Sequence, residues 1–521
     1  MITPHAASPL GAGKVATAED AVALIPDGAT VAVGGFVGAA HAEALSAALE
    51  RRFLGGHGPQ GLTLIYAAGQ GDGELRGLNH LAHRKLLRRV IGGHWGLAPR
   101  LGRLAIDGHI EAYNFPQGVI CQLYRDIAAK RPGCITHIGM DTCVDPAHGG
   151  GRLNSCTPPG LVERIELAGR TWLWYHALPI NVGLIRATAA DPAGNLIMDD
   201  EALVGEVLAI AQAVRTSGGL VLAQVRHLLD RPAPPHRVRV PGICVDRVIV
   251  AEAEQHSMTF GEPHNPAYSS AAPEGFLPVI PALAWDERRI IAQRACDELR
   301  PGVVANIGIG IPEGIASIAA ERGLLSGLTL TVESGVIGGV PAGGLSFGAA
   351  QYPHAIIDQP AQFDFYDGGG LDIAALGAAQ IDAAGNVNVS SFGDRIPGVG
   401  GFVNISQSAK SLVFCTTFTS GGLAVSGGAD GLVIATEGRH RKFVSAVDQI
   451  SFSARRARDR GQEVLYVTER AVFRLGTTGL ELAEIAPGID LKRQVLDLLP
   501  FTPPMPALRQ MPASAFARIE P

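Results

Sequence analysis

The amino-acid sequence predicts an α/β protein made of two related, open, mostly parallel-sheet domains, the product of an internal duplication. Three observations carry that prediction. Landmark segments occur twice in the same order. Short apolar runs alternate with helical patterns, as in sheets covered by helices on both faces. A stretch rich in Pro, Gly, Ser and His interrupts the middle of the 521 residues, a length that suits two or three domains.

The first landmark is Gly28-Ala29-Thr30-Val31-Ala32-Val33-Gly34, which leads into Gly35-Phe36-Val37-Gly38 and a helical pattern. Its second copy is Gly302-Val303-Val304-Ala305-Asn306-Ile307-Gly308, followed by Ile309-Gly310-Ile311-Pro312-Glu313-Gly314. Gly61-Leu62-Thr63-Leu64 returns as Gly327-Leu328-Thr329-Leu330, and Asp191-Pro192-Ala193-Gly194-Asn195 as Asp382-Ala383-Ala384-Gly385-Asn386. The spacing falls from 266 to 191 between these two pairs, so the first half carries about 75 extra residues there. Strands are expected at Thr30–Val33, Leu62–Tyr66, Leu220–Val225, Val303–Ile307, Leu328–Val332 and Ser411–Cys415. The segment from Glu254 to Leu283 reads as the interdomain linker, and the helix Trp285–Leu299 opens the second half. The predicted domains are residues 1–275 and 276–521.

The formal net charge of -6 offers no invitation to nucleic acid or an acidic membrane surface. Basic runs such as Arg455-Arg456-Ala457-Arg458 read as solvated helix faces. The seven Cys include no CxxC pair, and the 16 His show no paired-ligand spacing, so neither a disulfide framework nor a metal site is expected. His41, His94 and His354 read as satisfied surface or core residues. The N-terminus lacks a signal-peptide pattern, and no uncharged apolar run is long enough to span a bilayer. The expectation is a soluble, cytoplasmic protein with no membrane partner.

Where two copies share a fold, a catalytic residue should stand in one copy only. After Gly-Leu-Thr-Leu the first copy reads Ile65-Tyr66-Ala67-Ala68-Gly69 and the second Thr331-Val332-Glu333-Ser334-Gly335. Glu333 thus takes the place of Ala67. An ionised carboxylate directly after a buried strand is costly unless paired or used. Ligand sites of open α/β sheets lie outside the carboxyl ends of the strands. The following Gly335, Gly338, Gly339, Gly343 and Gly344 are read as freeing the backbone to approach a ligand.

The run Val332-Glu333-Ser334-Gly335-Val336-Ile337-Gly338-Gly339 resembles the active-site signature of family I CoA-transferases. The resemblance spans nearly the whole chain, with both subunit-type halves fused. It includes Gly34-Gly35-Phe36-Val37-Gly38, Tyr113-Asn114-Phe115-Pro116-Gln117-Gly118, Phe363 to Asp372, Gly385 to Ser390, Gly398-Val399-Gly400-Gly401-Phe402 and Val467 to Phe473. It is nearest to the fused acetate or propionate CoA-transferases; the mitochondrial-type 3-oxoacid enzymes look more distant. Many relatives would be expected to have Asn near Gln351.

The resemblance implies transfer of CoA between short-chain carboxylic acids by double displacement, with Glu333 as nucleophile and a glutamyl-CoA thioester as intermediate. A 3-oxoacid-preferring transferase and an acyl-CoA hydrolase using the same glutamate are the alternatives. CoA is then a substrate, with no resident cofactor and no metal. Two carbonyls need oxyanion donors. Gly400 and Gly401 are the candidates for the substrate carbonyl, and the resemblance places the Gln117 side chain against Glu333. Gly34, Gly35 and Phe36 are expected to wall the nucleophile. The Gly308–Gly314 segment, Gly308 and Gly310 included, opens a helix whose N-terminus suits an anion such as a CoA phosphate. Arg439, Arg441 and Lys442 form a further candidate cluster for the CoA tail. The resemblance also implies a homotetramer or homodimer.

Overall fold

A computed structural model of the chain describes residues 14–276, 280–428 and 431–516. The first residues of the N-terminus, and part of the linker stretch, lie outside them. The helix Ala18–Ala23 (α1) is capped by the Thr17 hydroxyl and leads into strand Thr30–Val33 (β1). Helix Glu43–Leu54 (α2) and strand Leu62–Tyr66 (β2) follow, with both strands buried throughout, as their apolar runs require. The first half then adds strand Leu87–Gly92 (β3), helix Pro99–Ile106 (α3), strand Glu111–Asn114 (β4) and helix Gln117–Ala128 (α4). Strands Gly133–Thr136 (β5), Val162–Leu167 (β6) and Arg170–His176 (β7) form a separate antiparallel sheet. Strands Val182–Ala190 (β8) and Leu196–Ile197 (β9), helix Val207–Thr216 (α5), and strands Leu220–Leu228 (β10), Val238–Val240 (β11) and Arg247–Val250 (β12) complete it. The main sheet runs β12-β10-β8-β1-β2-β3-β4, all parallel, with β9 and β11 antiparallel at one end of β8.

The second half repeats the plan. Helix Glu287–Cys296 (α6) begins where Asp286 accepts the N–H groups of Arg288 and Arg289. Strand Val304–Ile307 (β13), helix Gly314–Glu321 (α7) and strands Thr329–Val332 (β14) and Val336–Ile337 (β15) follow. Helices Gln359–Asp367 (α8) and Phe402–Ser408 (α9) flank the strand Ile373–Gly377. Its sheet is parallel at the centre, from β14 through β13 and Ile373–Gly377 to Ser411–Cys415 and Glu463–Val467, and antiparallel toward both ends. The fold is the expected one. The surplus of the first half is now visible as β3, α3 and β4, where the second half has only short strands before α8, and as the β5–β7 sheet, where the second half passes from α8 straight to Ile373–Gly377. The repeated Asp-x-Ala-Gly-Asn motif closes the same turn twice: Asp191 accepts from the Asn195 side chain at 2.9 Å, Asp382 from that of Asn386 at 3.0 Å.

The linker stretch is no loose tether. Met258, Thr259 and Tyr268 are buried. The Thr259 and Ser346 hydroxyls lie 2.8 Å apart, Tyr352 N–H donates to the Ala267 carbonyl, and Arg76 stacks over the Phe260 ring. Apolar side chains and paired backbone fasten the stretch to both halves. Among the described residues no helix is long and apolar enough to cross a membrane.

Candidate active site

Glu333 follows the last residue of β14, at the carboxyl end of a central strand. It lines a cavity of about 310 Å³ whose wall comes from both halves: Phe36, His94, Leu97 and Gln117 from the first, Asn306, Phe347, Gly401 and Phe402 among others from the second. The wall is mostly apolar. Burial pushes the Glu333 carboxyl above the usual carboxylate range, opposed by its own backbone N–H and by the Asn306 amide. No described Lys or Arg pairs with it.

Asn306 lies in β13 directly across from Thr331 of β14. Its Nδ2 donates to the Thr331 carbonyl at 3.2 Å and, at 3.4 Å each, to Glu333 Oε2 and the Tyr366 hydroxyl. Tyr366 in turn donates to Thr331 Oγ1 at 2.8 Å. These neighbours fix the amide beside the carboxylate without bringing a positive charge to it.

Gly401 is the N-cap of α9, and a β-carbon there would stand 3.3 Å from Glu333 Cγ. Its backbone N–H has no acceptor among the described residues. Gly400 corrects the expectation: it lines the cavity, but its N–H already donates to the Gly93 carbonyl at 2.8 Å, so it is no free oxyanion donor. Gln117 starts α4, its backbone N–H donates to the Gly400 carbonyl at 2.9 Å, and its buried side-chain Nε2 has no partner. Gln117 therefore offers an unused amide to the same cavity as Glu333.

The other glycines divide. Gly308 lines the cavity; Gly310 lies outside its lining, with open space at its α-carbon. Gly34 and Gly35 stand behind the wall, not in it. A β-carbon on Gly34 would meet Ile210 of α5 at 3.3 Å, and one on Gly35 would meet Gln70 and the His41 backbone. Phe36 does line the cavity, with its ring 5.7 Å from that of Phe347. Gly338 and Gly339 are also corrected: a β-carbon would strike the His354 ring on one and the Gln351 carbonyl on the other, both at 2.4 Å. They clear a packed turn rather than a ligand. Gln351 too is outside the cavity lining.

The start of α7 does not present a bare anion site. Glu313, its N-cap, places a carboxyl there, with buried Oε1 unpartnered and the group raised by burial. Arg439 and Arg441 are exposed, whereas Lys442 is half-buried and donates to the Ala378 carbonyl at 3.3 Å. None of the three lines the cavity.

Two polar residues of the wall escaped the sequence reading. Asn306 replaces Ala32 of the first copy, the same kind of difference that singled out Glu333. His94, read as a satisfied histidine, is not one: it lines the cavity and its buried Nδ1 has no partner.

Comparison with known proteins agrees with this geometry. Residues 15–251 match the family Coenzyme A transferase. The acetate CoA-transferase YdiF of Escherichia coli O157:H7 is 40% identical over 509 residues, covering 97% of this chain and 96% of that one. The caffeate CoA-transferase of Acetobacterium woodii is 40% identical over 513 residues, 97% of each chain. The crystal structure of the YdiF apoenzyme superposes with a TM-score of 0.91 over 97% of this chain, and its thioester complex with CoA with a TM-score of 0.90. Two duplicated α/β halves around one cavity thus define an enzyme of acyl-CoA chemistry. The chain belongs to the family I CoA-transferases, with both subunit-type halves fused.

Proposed function

We propose that the protein transfers CoA from a short-chain acyl-CoA to a free carboxylate of the acetate or propionate kind, by a ping-pong mechanism through a glutamyl-CoA thioester on Glu333. The observation that carries this reading is the Glu333 carboxylate itself: desolvated, with no cationic partner among the described residues, in a mostly apolar cavity built from both halves. A Glu333 oxygen attacks the acyl carbonyl; the C–S bond breaks, giving a mixed anhydride and CoA thiolate. The thiolate attacks the Glu333 carbonyl carbon and expels the first acid as its carboxylate. A second acid runs the sequence backwards, so the thioester bond energy is kept and no nucleotide is needed.

Desolvation strengthens the nucleophile and guards the anhydride from water, which favours transfer over hydrolysis at the same glutamate. The Gly401 N–H suits the substrate oxyanion, and the Gln117 and Asn306 amides suit the Glu333 carbonyl. Each such donor is worth roughly 3 kcal/mol in comparable acyl-transfer sites. The name of the 40% identical acetate CoA-transferase YdiF supports an acetate-type acceptor, and that of the caffeate CoA-transferase supports CoA transfer to a carboxylic acid. CoA enters this reading as a substrate. It also takes residues 1–275 and 276–521 as domains, a homodimer or homotetramer as assembly and the cytoplasm as location.

Acyl-CoA alone should leave a CoA adduct on the Glu333 peptide by mass spectrometry, and borohydride should inactivate only enzyme so treated. With acetate as acceptor, acetyl-CoA should form. Release of free CoA with no acetyl-CoA would replace this reading by hydrolysis.

A further inference from the structure

The first half sends one polar side chain into the cavity that the chemistry above does not use. His94 follows β3 in the turn Gly92-Gly93-His94-Trp95, and its imidazole is held in a slot paved by glycine. A β-carbon on Gly69 would come within 2.4 Å of His94 Nδ1, one on Gly96 within 3.1 Å of Cε1, and one on Gly400 within 3.6 Å of Cδ2. Gly400 belongs to the turn that brings Gly401 against Glu333, so the imidazole sits one step along the wall from the nucleophile.

Nδ1 is sealed off and unpartnered, and no hydrogen bond from a described residue reaches Nε2. Burial lowers the imidazole to about 4, so it is neutral in the working range. Nδ1 lies against Gly69, where a proton would have no acceptor, which leaves Nε2 to carry it. Nε2–H is then a donor with no acceptor among the described residues. The surroundings contributed by Phe36, Val37 and Leu97 are apolar. Nε2 is not sealed as Nδ1 is: it opens onto the cavity, where an oxygen of a bound ligand can take the place of water as its acceptor.

We propose that His94 is a specificity-determining residue: its Nε2–H donates to an oxygen substituent on the acyl chain, so the enzyme favours hydroxy- or oxo-acids over the unsubstituted acids of equal length. This rests on the reading of Glu333 as the site of acyl exchange. A site built to satisfy a substrate oxygen discriminates far more strongly than an apolar pocket does by one methylene.

The test measures kcat/KM for two acceptor pairs, 3-hydroxybutyrate against butyrate and lactate against propionate, with acetyl-CoA as donor. Wild type should prefer the oxygenated member of at least one pair by tenfold or more. His94→Leu should cut that preference at least tenfold, and His94→Gln, which keeps a donor, should recover part of it. Far-UV circular dichroism and thermal melts certify that each variant is folded. A His94→Leu ratio within twofold of wild type overturns the proposal, as does an equal loss toward both members of a pair. Should His94→Leu fail to fold, His94→Gln and His94→Phe give the same comparison. Absence of any CoA exchange by wild type would instead overturn the reading of function.

Discussion

The strand pairs at the centres of the two halves share a register and differ in chemistry. Ala32 of β1 faces Ile65 of β2 as Asn306 of β13 faces Thr331 of β14. The helices beyond them match as well. Gln117 opens α4 and donates its backbone N–H to Gly400; Gln359 opens α8 and donates to Gly205, both at 2.9 Å. Tyr124 and Tyr366 hold equivalent places on those helices, and their hydroxyls reach back to the Ile65 carbonyl and to Thr331 Oγ1. Yet the first copy has Ala32, Ile65 and Ala67 where the second has Asn306, Thr331 and Glu333. Around the first pair, α5 closes down on Gly34; around the second, the equivalent Gly308 lines an open cavity. The apolar runs and glycine turns common to both copies determine the backbone. Polar substitutions on that unchanged backbone give one of the two places a carboxyl and an amide where the other has only apolar side chains.

The largest effect should come from breaking this asymmetry at its centre. Glu333→Ala should cost on the order of 10⁴-fold or more in turnover, as loss of an essential nucleophile does, with the melting temperature maintained. Moving the carboxylate with Ala67→Glu in that background should restore nothing, because Ala67 is fully buried and outside the cavity lining. Residual activity above a tenth of wild type in Glu333→Ala would end the assignment.

Next in size is Asn306, whose counterpart is Ala32. Asn306→Ala should lower kcat/KM on the order of 10²-fold, the usual cost of one such donor. It should also move the pH profile. On the proposed mechanism activity requires ionised Glu333 and should be lost as pH falls through its raised pKa. Asn306 holds that pKa down, so its removal should shift the acid limb to higher pH. A lower rate with an unmoved limb would mean that Asn306 acts on the substrate rather than on Glu333.

Much of this was legible in the sequence because the chain supplies its own comparison. Strands Thr30–Val33, Leu62–Tyr66 and Ser411–Cys415 have the expected ends, where apolar runs meet glycine or polar turns. The helix expected at Trp285–Leu299 is shorter because Asp286 caps it and starts it late. Glu333 was legible as a difference between aligned strand ends. Gly338 and Gly339 were misread because a glycine that clears a histidine ring has the same signature in sequence as one that clears a ligand. His94 was invisible because its slot is assembled from Gly69, Gly96 and Gly400, which only the fold brings together. Gly400 was credited with an N–H that Gly93 takes, a hydrogen bond between halves that no local pattern announces.

The silent copy can be tested through stability rather than turnover. Glu206 caps α5 as Gly401 caps α9, so the first copy bears a carboxyl where the second has a bare backbone. Gln359, whose N–H donates to the neighbouring Gly205 carbonyl, is buried with neither side-chain polar atom bonded, and both Glu206 oxygens also lack partners. Burial pushes Glu206 up to about 8, so in the folded protein it stays protonated over a range where the unfolded chain has lost the proton. The folded state then binds more protons, and stability must fall as pH rises from about 4.3 toward 8, by at most about 1.4 kcal/mol per pH unit from this group. Glu206→Gln keeps the shape and removes the titration. The variant should gain on wild type steadily across that window and be the more stable at pH 8. Differences between the two proteins cancel contributions from other groups, such as His80, whose own raised pKa makes stability fall with rising pH in both. Urea melts at pH 5, 6.5 and 8 decide it: a wild-type-minus-variant difference that does not change with pH would show that Glu206 is ionised in the fold. The closed copy would then hold a charge, as the proposed mechanism requires of the open one.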